Sequence, residues 1–87
     1  TIITGDFNAL PDSPEMELLK KYPKLIDFTA KISGTFHDYG QLVEAEKIDY
    51  IIASDNYQCS SVTVWDDCEN GIYLSDHYPV CVEISTK

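Results

Sequence analysis

The run Lys47-Ile48-Asp49-Tyr50-Ile51-Ile52-Ala53 constrains the fold of this chain more than any other stretch. Its apolar, β-branched and aromatic content reads as a strand that needs cover on both faces. Asp49 interrupts it, and a carboxylate there is costly to bury unless paired. An imidazole is the economical partner, because a bond to Nδ1 fixes the tautomer and stabilises the protonated ring. His77, in Leu74-Ser75-Asp76-His77-Tyr78-Pro79-Val80, is the candidate. The alternative has Asp49 capping a neighbouring loop or facing solvent.

Around this strand the other elements fall into order. Thr1 to Thr4 is a short β-branched run, expected as a buried strand ending at Gly5. Because the sequence opens in what reads as mid-strand, the chain is expected to be the C-terminal part of something longer, or an excised piece. Ser13-Pro14-Glu15 is a helix start: a hydroxyl cap, proline at the first helical position and an acid in the first turn. Met16, Leu19 and Tyr22 share a face by helical spacing, and Pro23 ends the helix. Leu25 to Phe28 is a turn or an abortive strand, and Thr35-Phe36 a short strand after Gly34. His37 to Glu46 is a polar loop. Cys59 to Trp65 and Pro79 to Ser85 are strands, separated by an acidic loop over residues 66 to 71. The expected architecture is α+β, with one or two helices against one mixed or antiparallel sheet of about five strands.

Composition narrows the function. A chain of 87 residues with 44% apolar content forms one small domain. No apolar run approaches the ~20 residues that span a bilayer. A net charge of −9 with six basic residues argues against extended binding to a polyanion such as long duplex DNA. Carboxylates gathered at strand ends suit a divalent cation instead. Cys59, Cys68 and Cys81 lack zinc-ligand spacing and are expected to be reduced thiols of a cytoplasmic protein.

Three short motifs carry the chemistry, each at the edge of an expected strand. In Gly5-Asp6-Phe7-Asn8, a period of two points Asp6 and Asn8 to one face. There they suit holding a water or an ion beside a phosphate oxygen; an Asx-type turn explains the pair equally well. Asp76-His77 alone reads as a capped turn and a surface histidine. Together with Asp49, in the order Gly-Asp-Phe-Asn, Ile-Asp-Tyr-Ile, Ser-Asp-His-Tyr-Pro-Val, the set is far less expected by chance.

On these motifs the chain resembles the C-terminal half of the endonuclease/exonuclease/phosphatase superfamily, the group of deoxyribonuclease I and inositol polyphosphate 5-phosphatases. The resemblance extends over essentially all 87 residues. It implies half of a four-layer α/β sandwich, and hydrolysis of a phosphoester by in-line attack of water, with Mg2+ (or Mn2+) as cofactor. It further implies that Asp6 orients or deprotonates the water and contributes to metal binding, and that Asn8 contacts the phosphoryl group. Asp76 would help hold the cation, and His77, polarised by Asp49, would stabilise charge on the phosphate. Phe36 and His37 fall on the substrate-facing loop and are candidate substrate-binding residues. The alternative places Phe36 in the core and His37 on the surface.

The family's metal-binding glutamate and second histidine belong to its N-terminal half, and Glu15 and Glu17 do not match that motif. The chain by itself is therefore expected to show little or no activity. Its bare sheet face is expected to be covered by the missing half or by a second copy of itself. A small phosphoester or a lipid headgroup is the expected substrate. The rival expectation is a non-catalytic interaction or structural fragment that retains the fold.

Overall fold

The computed structural model describes residues 1–87 except Asp67, Glu69, Asn70 and Leu74. The expected acidic loop over residues 66 to 71 and the start of the Leu74–Val80 stretch thus lie partly outside the described residues. The described elements are β1 (Ile2–Asp6), α1 (Pro14–Glu17) continuing as a 3-10 turn (Leu18–Lys21), β2 (Leu25–Asp27), β3 (Asp49–Ser54), β4 (Tyr57–Val64) and β5 (Val80–Thr86).

The class is α+β and every strand pairing is antiparallel. Among the described residues there are five strands, but not the expected five: Thr35-Phe36 forms only isolated bridges at Phe36, and Leu25–Asp27 takes its place. They divide into a three-stranded sheet, order β1-β3-β2, and a two-stranded ribbon, β4-β5, where one sheet was expected. The cause lies in β3. Both of its edges are taken by β1 and β2, so β4, which follows after only Asp55 and Asn56, cannot fold back on it. It pairs with β5 instead, with a register irregularity between Cys59 and Ser61. Leu25–Asp27 is a true edge strand, its three residues opposite Ser54, Ala53 and Ile52.

One face of the three-stranded sheet builds the core. Tyr50 and Ile52, each 1% exposed, pack with Met16 and Ala9, and Phe7, Leu19 and Leu25 close around them. Burying each large side chain contributes roughly 1.5–3 kcal/mol. Ser13 Oγ accepts the Met16 backbone N–H at 3.4 Å, the cap expected of Ser-Pro-Glu. Tyr22 does not join the expected apolar face and is exposed. The residue before a proline is driven out of helical space, and Tyr22 accordingly leaves the turn at φ −121°, ψ 78°.

The expectation that β1 is buried does not hold: all five of its residues are exposed, Ile2 to 51%. β1 is an edge strand with only β3 beside it, and neither of its faces is covered by the described residues. The Cα radius of gyration is 13.8 Å, with extents of 42 × 29 × 16 Å. A compact chain of this length has a radius of roughly 12 Å, so the molecule is a slab with broad open surfaces.

Candidate active site

The β1–β3 register sets Asp6 opposite Asp49, and residues opposite one another in a sheet project from the same face. Tyr50, one residue on, points to the core. The alternation of a single strand therefore puts one carboxylate on each of two adjacent strands, on the face opposite the core.

His77 reaches these carboxylates from the segment that leads into β5. Its backbone N–H donates to Ser75 Oγ at 3.1 Å, which closes the turn before the strand. Its Nδ1 lies 2.6 Å from Asp49 Oδ2. Its Nε2 lies 3.6 Å from Asp6 Oδ2 and 3.8 Å from Asp76 Oδ1. An ionised carboxylate only accepts, so Nδ1 carries a proton in this pair. Burial alone pulls the His77 pKa down, but the hydrogen bond and charge of Asp49, followed by the charges of Asp6 and Asp76, outweigh it. The imidazole is raised above its ordinary value of 6.5.

The structure thus brings Asp6, Asp49 and His77 together, with one ligand-capable atom from each within 4.8 Å of the others. Asp76 stands beside the ring but is not one of those three. The ring also borders an open pocket of about 310 Å³ lined by Thr4, Gly5, Asp49, Ile51, Ser75 and Pro79 among others.

Asn8 is placed differently from the expectation of a shared face with Asp6. β1 ends at Asp6, and Asn8 has φ 51°, in the left-handed region where asparagine is among the tolerated residues. Its backbone N–H donates to Asp6 Oδ1 at 2.8 Å, the Asx-type turn that the sequence left open. Strand alternation stops applying once the strand has ended. The turn leaves Asp6 Oδ2 directed towards His77.

Phe36 is half-buried with its ring centroid 5.1 Å from that of His77, so it walls the histidine. His37 is not a surface residue, at 2% exposed, and it lines a small pocket together with Ser75, His77 and Tyr78. Its ring stacks on Tyr78 at 4.1 Å and lies 4.4 Å from Tyr73. Its Nδ1 accepts the Gly40 N–H at 3.0 Å. That bond helps hold Asp38, Tyr39 and Gly40, all at positive φ (53°, 56° and 81°).

Residues that brace the site carried no sign of that role in the sequence. Tyr50 Oη donates to the Ala9 carbonyl at 2.7 Å and its ring stacks on Phe7, so it clamps the loop that carries Asn8. Ser75 and the wholly buried Thr35 are likewise ordinary turn and strand residues by sequence.

Two carboxylates, Asp6 and Asp49, stand with the imidazole in this cluster, and carboxylate oxygens suit a hard divalent cation. Asp76 approaches His77 Nε2 at 3.8 Å but lies outside the cluster. Mg2+ binds through one or two carboxylates and completes its shell with water and substrate oxygens.

Comparison with known proteins identifies the family and the fold. Residues 1–77 match the profile of the endonuclease/exonuclease/phosphatase family, and the chain belongs to that family. Among solved structures, it is similar to the endonuclease/exonuclease/phosphatase from Bacteroides vulgatus, with 26% identity and a TM-score of 0.84 over 99% of this chain. It is also similar to a functionally unknown conserved protein from Enterococcus faecalis V583, with 29% identity and a TM-score of 0.82 over 100% of the chain. The chain spans 36% of the length of each. No curated protein sequence matches it. No helix among the described residues is long and apolar enough to cross a membrane.

Proposed function

We propose that this chain supplies the aspartate–histidine part of a metal-dependent phosphoesterase site, as the C-terminal portion of an endonuclease/exonuclease/phosphatase domain. The observation that carries the reading is His77, held by Asp49 at 2.6 Å and facing Asp6 at 3.6 Å. Asp49 keeps the imidazole in one orientation and stabilises its protonated form. Nε2–H is then a cationic donor for a phosphoryl oxygen, whose charge grows as the ester bond breaks. Asp6 orients the attacking water and takes its proton. Asn8, brought close by the turn at Asp6, contacts the phosphoryl group, and Phe36 limits the space beside it.

Asp6 and Asp76 would hold Mg2+ or Mn2+, which supplies Lewis-acid neutralisation of the phosphoryl charge. With six basic residues in 87, the substrate we favour is a small phosphoester or lipid headgroup over long duplex DNA. Free Cys59, Cys68 and Cys81 agree with a reducing, cytoplasmic setting. Further chain, or a second copy, would cover the face on which Ile2 lies exposed.

The decisive assay measures phosphodiester and phosphomonoester hydrolysis with Mg2+ or Mn2+, for the 87-residue chain and for the longer protein that carries it. Trace turnover by the chain and metal-dependent turnover by the longer protein are expected. Robust turnover by the isolated chain overturns the requirement for a further portion. Absence of turnover from both favours the interaction-fragment reading.

A further inference from the structure

We propose that Thr35 is a positioning residue that holds Asp49 and His77 in register with one another. These two side chains are 28 residues apart and arrive on separate elements, so their 2.6 Å contact needs something that fixes both backbones. Thr35 is bonded to Asp49 and to Tyr78, the residue after His77. Its Oγ1 accepts the Ile48 N–H at 3.1 Å and the Asp49 N–H at 3.2 Å, and donates to the Glu46 carbonyl at 3.3 Å. Its backbone carbonyl accepts the Tyr78 N–H at 2.6 Å, next to His77.

A hydroxyl has one donor and two acceptor positions, and all three are used here. The residue is 0% exposed, so water cannot replace any of them. The surroundings extend the same tie. The His37 N–H donates to the Asp76 carbonyl at 2.9 Å, and Phe36 is bridged to both Glu46 and His77. Residues 35 to 37 are therefore a short tie laid between the start of β3 and the turn that presents the histidine. Gly34 lets this tie lie close: a Cβ there would fall 2.3 Å from the Ala45 carbonyl oxygen.

The catalytic meaning of this tie rests on the phosphoesterase reading above, whereas its test does not. The protein contains only two histidines, so imidazole NMR signals are few. The comparison is between Thr35→Val, which keeps the shape and removes the hydroxyl, and Thr35→Ser, which keeps the hydroxyl and removes the methyl. The probes are the Nδ1-bound proton of His77 and amide exchange at Ile48 and Asp49, with far-UV circular dichroism as the check on folding.

Thr35→Val is expected to lose the sharp Nδ1 proton signal and to speed exchange at both amides by about tenfold or more, as for buried bonds left unmade. Thr35→Ser is expected to stay within about twofold of wild type. A folded Thr35→Val chain with both probes unchanged overturns the proposal. Should Thr35→Val fail to fold, Thr35→Ser decides: a retained signal supports the tie and a lost one overturns it. A wild-type protein without phosphoesterase activity would sink the function proposed above while leaving this result in place.

Discussion

The two faces of β3 use one alternating sequence for opposite ends. On the first, Tyr50 and Ile52 are almost wholly buried against Met16 and Ala9. On the second, Asp49 stands beside Asp6 and His77, above a surface on which β1 remains open. The apolar face gains stability from area removed from water. The polar face gains little, since its carboxylates give up hydration for one imidazole. Substitutions on the two faces should therefore separate: one set moves stability, the other moves chemistry.

The largest expected effect is chemical. In the phosphoesterase domain proposed to contain this chain, replacing His77 with alanine, or Asp49 with asparagine, should lower turnover on the order of 10²–10⁴-fold. The urea unfolding midpoint should move less for either than for a core truncation. Equal losses of stability and activity in the Asp49→Asn protein would erase the distinction between the faces.

On the core face, Ile52→Ala should cost about 2–5 kcal/mol in urea unfolding, and the milder Ile52→Val about 0.5–1.5 kcal/mol. Both should leave the His77–Asp49 proton signal in place wherever the chain stays folded. Tyr50→Phe is a smaller change that touches both sides. It keeps the stacked ring but leaves the Ala9 carbonyl without its donor, at about 1–2 kcal/mol by urea unfolding. Because Ala9 follows Asn8, phosphate affinity should weaken as well; unchanged affinity would confine Tyr50 to the core.

The smallest effect is on pH dependence. The folded pKa of His77 is raised, so the native state holds its proton more tightly than the unfolded chain does. Its contribution to stability is full below the unfolded value near 6.5 and is lost as pH rises through the folded pKa. Wild-type stability should therefore drop over that window relative to His77→Gln, which lacks the titrating ring. Parallel curves would show that Asp49 and Asp6 do not hold the proton.

Much of the fold was legible because its signals are local. Ser13-Pro14-Glu15 caps a helix through atoms a few residues apart, and the apolar run around Ile51 can only be a central strand. Pro23 also ends its helix by a local clash. Splitting five strands into two sheets was not legible. That depends on β2 occupying the second edge of β3, and Leu25–Asp27 is too short for its own pattern to announce pairing.

In the candidate site, the sequence by itself determined the residue types. A carboxylate within an apolar strand demands a partner, and one Asp-His pair stood at the mouth of another strand. The tertiary structure decided which atoms meet. It turned Asn8 out of the strand through a positive φ and buried His37 between two tyrosine rings. It also gave Thr35, which no local pattern marks, bonds to Asp49 and to Tyr78, the neighbour of His77. Propensity and alternation act over a few residues, whereas a hydroxyl's partners 13 and 14 positions along the chain are fixed only once the strands have packed.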